Sequence, residues 1–321
     1  MKKLIFILVF TLTFQKGYSQ GCCSGGVPMS ANVGLPVSDA GSWQFSLNYD
    51  LNVLSTLKNG TETLDDDRQK RTTHSALAQI GYTLNNRLSL ELFTSFVRQE
   101  RRIKQLNQEY DFIATNGLGD AIFLAKYRLY KNFQIGLGTK VPIGASDKKD
   151  KRGIPLGADL QPGSGAWDLV YWAGGGAALP FRKSMFLNVS AIYRSTGVNG
   201  NFFGDSKYKF GNEFQSTIGI ADRFVLGSIT LDPSLSIKYR KANPDKRNVD
   251  KTGFVDFGST GGEWVFIRPA VSYNPSPSIA IQSNIELPVY AKLNDTQVSP
   301  TYRINIGVTF ILKTKNDFKI E

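Results

Sequence analysis

The stretch WQFSLNYDLNVL, residues 43–54, alternates apolar and polar side chains along its whole length. Trp43, Phe45, Leu47, Tyr49, Leu51 and Val53 share one parity. Successive side chains of a strand point to opposite faces, so this is a strand with one apolar and one polar face. The pattern returns at Leu88, Leu90, Leu92 and Phe96, and again at Ala121, Phe123, Ala125, Tyr127 and Leu129. Each such segment is about ten residues long, the length a tilted strand needs to cross a bilayer.

Read outward from this stretch, the chain holds about twelve such strands, an even number as single-chain bacterial barrels have. The connections alternate long and short. Lys58–Arg71, Gln99–Asn116, Gly144–Ala166, Ser195–Ser206 and Lys241–Glu263 are long, and Asn294–Pro300 is of middling length. Asn85–Arg87, Lys131-Asn132, Pro180–Ser184, Gly227-Ser228 and Pro275–Ser278 are short turns rich in Gly, Pro, Asn and Ser. Tyr208, Phe210, Phe214, Ile218 and Ile220 are assigned to the eighth strand. The expected fold is all-β: a transmembrane antiparallel up-and-down β-barrel over residues 42–313. Soluble β-sandwiches also alternate. Their strands are not matched to a bilayer, do not end in Tyr, Trp or Phe at both rims, and are not joined by turns of alternating length.

Beyond the N-terminus no apolar run approaches the ~18–20 residues of a spanning helix, so a helical membrane protein is excluded. A content of 12% aromatic residues in long alternating runs argues against a disordered chain. Residues 1–20 have the form of a cleaved secretory signal: Lys2 and Lys3, an apolar run Leu4–Phe14, then Gly17–Gln20. Removing them leaves 35 basic against 27 acidic residues, +8 instead of +11. These charges are spread over loops and one strand face and do not form a stripe, so no nucleic-acid partner is expected. Residues 21–41 form a Gly/Ser/Cys-rich leader and 314–321 a tail. An even strand count puts both on the short-turn side, the periplasm. Cys22 and Cys23 are open to three readings: a loosely ordered pair, a vicinal disulfide or soft-metal contact, or a lipidated Cys22.

Parity places Glu91, Asp120, Lys126, Arg128, Lys140, Asp168, Arg194, Glu213, Lys238, Arg240, Arg268, Glu286 and Arg303 on the inward face, as candidate lumen-lining residues. The opposite face is nearly charge-free, as a lipid-facing wall must be, since Lys or Arg at the midplane costs roughly 2–4 kcal/mol. The inward charges either pair and hold or plug the wall, or sort solutes. Their excess of Lys and Arg favours small anionic or polar solutes. His74 shares parity with Ala76 and Ala78, on the outer side, while Ser75 points inward, so no nucleophile–base pair forms and no enzyme is expected. The Asp-rich stretches 65–67 and 245–250 lack calcium-loop spacing. Gly174-Gly175-Gly176 lies within a strand, where glycine relieves curvature. No cofactor or metal site is expected. The expected partners are the lipid bilayer of the Gram-negative outer membrane, a small-molecule solute, and the barrel-assembly and periplasmic chaperone machinery.

Gly117-Leu118-Gly119-Asp120 followed by Lys126-Tyr127-Arg128, then Gly136-Leu137-Gly138-Thr139-Lys140-Val141-Pro142-Ile143-Gly144, then Leu160–Gly165 and Trp167-Asp168, form an ordered series. Over roughly residues 72–240 it resembles the outer-membrane transporter family associated with the meta-pathway of phenol degradation. That family is related in style to hydrophobic-compound channels such as the long-chain fatty-acid transporters. The resemblance implies a porin-like barrel transporter for passive uptake of small organic compounds, aromatic ones among them. It carries over no catalytic residue.

Overall fold

A computed structural model describes residues 40–105, 109–203, 206–227, 229–248 and 253–313. The proposed signal segment, nearly all of the cysteine leader and the tail 314–321 lie outside the described residues. Twelve strands form the wall: β1 (Ser42–Asn59), β2 (Gln69–Thr83), β3 (Leu88–Lys104), β4 (Ala121–Tyr130), β5 (Phe133–Val141), β6 (Asp168–Leu179), β7 (Arg182–Ser195), β8 (Glu213–Ala221), β9 (Ile229–Ala242), β10 (Gly262–Ser276), β11 (Ile279–Leu293) and β12 (Gln297–Lys313). Each pairs antiparallel with its neighbours in sequence, and β12 pairs with β1 from Lys313↔Ser42 to Gln297↔Lys58, which closes the barrel. Closure leaves no open sheet edge, so the backbone groups of the wall bond to one another, as lipid requires.

Side-chain alternation follows the pleat. In β1, Ser42, Gln44, Ser46 and Asp50 are buried inward while Trp43, Phe45, Leu47 and Tyr49 face out. The outer face is an apolar belt: Leu47, Phe123 and Leu137 are at least half exposed, which a soluble protein would not tolerate in such a contiguous surface. Aromatic rings border it. Trp43 packs on Tyr82 near the short turns, and Tyr171 on Tyr193 and Phe214 on Tyr239 near the long connections. Parity in β1 holds only to Leu51. Register shifts between Val53 and Leu54 and between Leu54 and Thr56 bury Val53 and turn Leu54 and Leu57 inward.

The long connections carry more structure than their sequence suggests. The expected loop 99–116 is the end of β3 together with a strand Tyr110–Leu118 that continues the pairing from Phe96↔Leu118 to Lys104↔Tyr110. Tyr208 and Phe210 do not belong to β8, which begins at Glu213. They lie in the long connection before it, where Lys207–Lys209 pairs with Lys246–Asn248 and that with Phe254–Asp256 in a separate small sheet. Phe202, Tyr208, Phe210 and Ala158 form its buried cluster.

Candidate functional site

The inward charges sit at corresponding depths on neighbouring strands because antiparallel register sets them opposite one another. Lys140 is the register partner of Asp168, and Arg194 of Glu213. Across six successive parts of the wall the signs alternate: Asp120, Lys140, Asp168, Arg194, Glu213, Arg240. Lys140 Nζ lies 2.8 Å from Asp120 and 3.1 Å from Asp168. Arg194 reaches Asp168 at 3.7 Å and Glu213 at 3.0 Å, and Arg240 reaches Glu213 at 2.6 Å. On the rest of the wall Glu286 bonds Lys238 and lies 3.9 Å from Arg268. Arg303 bonds Asp50 at 2.7 Å, and Lys126 bonds Glu91. Three of the cations also lie over rings: Lys126 over Trp172, Lys238 over Phe266 and Arg240 over Trp264.

These groups are withdrawn from water. Lys126, Lys140 and Arg194 are each 1% exposed and Asp120 is 0%. A buried charge of this kind persists only when paired, and removing one partner of such a pair costs about 3–5 kcal/mol. Among the thirteen, eight cations face five carboxylates. Asp50 lowers the excess from +3 to +2, which resides on Arg128 and on Lys238 and Arg268, the two cations that share Glu286. Arg128, by contrast, has no ion pair among the described residues. It lies one inward position closer to the short turns than Lys126 and lines a cavity there.

Above the row of paired charges, on the side of the long connections, the segment 144–166 folds into the barrel as a strap. Its two ends cross backbone to backbone: a Cβ on Gly163 would come within 2.4 Å of the Gly144 carbonyl oxygen. Both ends are tied to one carboxylate. Asp120 accepts from Gly144 N at 3.1 Å, Ser164 N at 2.9 Å and Ser164 Oγ at 2.7 Å. The middle of the strap, a 3-10 turn at Ala158–Leu160, crosses to β2 and β3. Arg71 bonds the Asp159 carboxylate at 3.1 Å and its carbonyl at 2.8 Å, and Gln99 donates to the Gln161 carbonyl at 3.0 Å. Thr115 donates to the Leu160 carbonyl at 2.6 Å. The Gln161 side chain is spent on the strap itself, bonding Lys148 and Leu156. Opposite the strap, Leu54, Leu57, Trp264, Phe266, Ala291, Leu293 and Val298 fill the interior as an apolar cluster.

Toward the short turns the barrel is hollow. A cavity of about 1000 Å³ is walled by hydroxyl and amide side chains such as Ser46, Gln79, Gln215 and Asn284. Leu77, Phe93, Trp172 and Ile192 also line it, the last three as members of a second apolar cluster with Ile122, Leu124 and Val170, and its cations are Arg128, Lys131, Arg223, Lys238 and Arg268. Among the described residues its lining includes none of the long connections, so it is a vestibule on the short-turn side, with the row of paired charges and the strap on the side of the long connections.

Sequence reasoning missed Asp50, Arg71, Asp159, Gln161 and Ser164. Asp50 carried a usable signal, the parity it shares with Ser46. Arg71 carried the same kind of signal, the parity it shares with Thr73 and Ser75, and Gln161 and Ser164 lie in the stretch 160–165. Their contacts could not be read, because the partners of Arg71, Asp159 and Ser164 lie far away along the chain. His74 lies on the outer face, where its Nδ1 and the Tyr49 hydroxyl are 2.7 Å apart, and Ser75 is buried on the other face. The Asp245 carboxylate, beneath the small outer sheet, is taken up by the Tyr208 hydroxyl at 2.6 Å and Gly211 N at 2.7 Å. Burial pushes its pKa up to about 6.

No family model matches the chain, and no curated protein matches it in sequence. Among solved structures, the COG4313 outer membrane channel from Pseudomonas putida F1 superposes with a TM-score of 0.62 at 16% identity, covering 89% of this chain and 100% of that one. The chain has the fold of that barrel. The β domain of the Bordetella autotransporter BrkA is similar at a TM-score of 0.49 and 11% identity, over 86% of this chain and 100% of that one. The CymD monoaromatic hydrocarbon channel follows at 0.43 and 8% identity, over 87% of this chain and 90% of that one. At those scores the last two add nothing to the argument.

Proposed function

We propose that the protein is a passive outer-membrane channel for small polar or anionic organic solutes, with no enzymatic role. The observation that carries this reading is the polar, cation-bearing vestibule inside a barrel whose outer face is an apolar belt. The short-turn mouth faces the periplasm in this reading, and the strap faces outside. The neighbouring Phe93 and Trp172 suit the apolar part of a small organic solute, aromatic ones included. The thirteen inward charges named from the sequence belong to the polar wall of the path, twelve of them held by an opposite charge and Arg128 without an ion pair among the described residues. Solute passage requires the strap to leave its seat, so the channel is gated at the Asp120 anchor. Export by a cleaved signal at residues 1–20 and insertion by the barrel-assembly machinery with periplasmic chaperones complete the proposal.

A second reading, a plugged structural or partner-binding barrel, is favoured by the row of buried, paired charges and by the strap seated above it. Single-channel recording of purified protein in planar bilayers separates the two. Discrete conductance steps support the channel. Silent bilayers at every salt concentration leave the plugged barrel. A loss of lipid hydrolysis on His74→Ala would contradict the non-enzymatic reading.

A further inference from the structure

Every inward charge named from the sequence has an opposite charge within 4 Å, Arg128 excepted. Arg128 makes no side-chain hydrogen bond or ion pair among the described residues, and its Nε is buried without an acceptor. Its register partner Gln134 likewise has a buried Oε1 without a donor. One strand further on, at the same level, Gln134 pairs with Gly174, whose lack of a side chain leaves the place of its Cβ to the Trp172 ring, 2.5 Å away. Arg128, Gln134 and Gly174 line the vestibule near its short-turn mouth, together with Lys131.

A cation already matched by a carboxylate exerts little net field at a distance. An unmatched guanidinium in a narrow lumen, where the effective dielectric is well below that of water, attracts the nearest mobile anion. Its planar fork binds a carboxylate or similar oxyanion through two parallel N–H···O bonds. We propose that Arg128 is the selectivity-determining residue of the vestibule, the group that receives a small oxyanion at the short-turn mouth. The inference rests on the channel reading and assigns its charge preference to one residue. Lys238 and Arg268 share the one carboxylate of Glu286 and keep a net positive charge, but Lys238 Nζ is bonded to Glu286 and Arg268 Nε to Asn284, so that group adds to the field of the lumen while the open fork is that of Arg128.

The test uses the full-length protein and its Arg128→Gln and Arg128→Lys variants, with heat-modifiable gel migration to establish that each is folded. Reversal potentials are recorded across a KCl gradient in planar bilayers. The wild type is expected to prefer anions, Arg128→Gln to lose at least about threefold in anion-to-cation permeability ratio, and Arg128→Lys to keep most of it. In parallel, calorimetry in detergent micelles titrates benzoate, with benzyl alcohol as the neutral control. Loss of a charged hydrogen bond of this type is expected to weaken benzoate binding about tenfold or more in Arg128→Gln and to leave benzyl alcohol unaffected. Conducting Arg128→Gln channels with an unchanged permeability ratio overturn the assignment. Silent wild-type bilayers sink the channel reading alone. In that event benzoate binding lost in Arg128→Gln upholds the oxyanion site, and binding that is absent or unchanged overturns it.

Discussion

Replacing Asp120 by Asn perturbs the strap at the one group that holds both its ends. The carboxylate receives Lys140 Nζ at 2.8 Å, Ser164 N at 2.9 Å, Ser164 Oγ at 2.7 Å and Gly144 N at 3.1 Å. Asn keeps the shape and one acceptor oxygen, which can still serve Gly144 N or Ser164 N. Its NH2 group puts a donor where the second oxygen accepted, facing other donors. Hydrogen bonds to charged groups contribute about 1.5–3 kcal/mol each. Lys140 retains Asp168 at 3.1 Å, which limits the loss on that side. The strap should therefore lose about 2–4 kcal/mol of its seating free energy, a shift of roughly 30- to 700-fold toward the displaced form. Arg71, Gln99 and Thr115 still hold the middle of the strap, so the barrel stays folded. The assay pairs open probability in planar bilayers with amide exchange over Leu156–Gly165. More frequent or longer openings and faster exchange in that segment are expected. Unchanged gating together with unchanged protection would refute the anchoring role of Asp120.

Lys126→Met leaves Glu91 buried without its cation and should cost about 3–5 kcal/mol in thermal or denaturant unfolding, whereas Lys126→Met with Glu91→Leu should recover most of that loss; equal destabilisation in both variants would show that the pair is not the issue. Leu47→Arg places a cation on the lipid face, 58% exposed in the wall, and should cost roughly 2–4 kcal/mol for refolding into bilayers, while leaving the lumen unchanged. The outer sheet should respond to pH through Asp245. Burial raises its carboxyl from an ordinary 3.8 to about 6, so the folded sheet binds the proton more tightly than the unfolded segment. The stabilisation from that proton is complete below pH 3.8 and is lost as pH rises through 6, an effect of about 2–3 kcal/mol. Amide exchange in Lys207–Lys209 and Lys246–Asn248, corrected for intrinsic rates, should be slower at pH 5 than at pH 7.5, and Asp245→Asn should abolish the difference. Protection that increases with pH would contradict the assignment.

The wall was legible in the sequence because lipid imposes a period of two on every strand that crosses it. β1 to Leu51, β2 from Ala76 and β4 from Ala121 all follow that period in the structure. Legibility stops where the lipid stops. In β3 beyond Val97 and in Tyr110–Leu118 both faces are wet, so Arg98, Glu100, Arg101 and Arg102 carry no alternation although the ladder continues. The same holds for the small sheet containing Tyr208, whose aromatic residues are buried by other loops and not by a bilayer. The bulge after Val53 inverts parity without any local signal. Inward placement of charge could be read one strand at a time, but the pairing could not. Whether Lys140 meets Asp168 depends on the register of β5 against β6, and Arg71 with Asp159 depends on a strap crossing the barrel. Arg128 looked like its neighbours in sequence, and only the pairing of all the others distinguishes it.

The most direct test of the central claim is the single-channel current of the purified wild-type protein in planar bilayers under a KCl gradient. Small, discrete steps with intermittent closures and a reversal potential displaced toward that of chloride are expected for a strap-gated, anion-preferring channel. Bilayers that stay silent despite verified insertion, or a reversal potential on the potassium side, would contradict it.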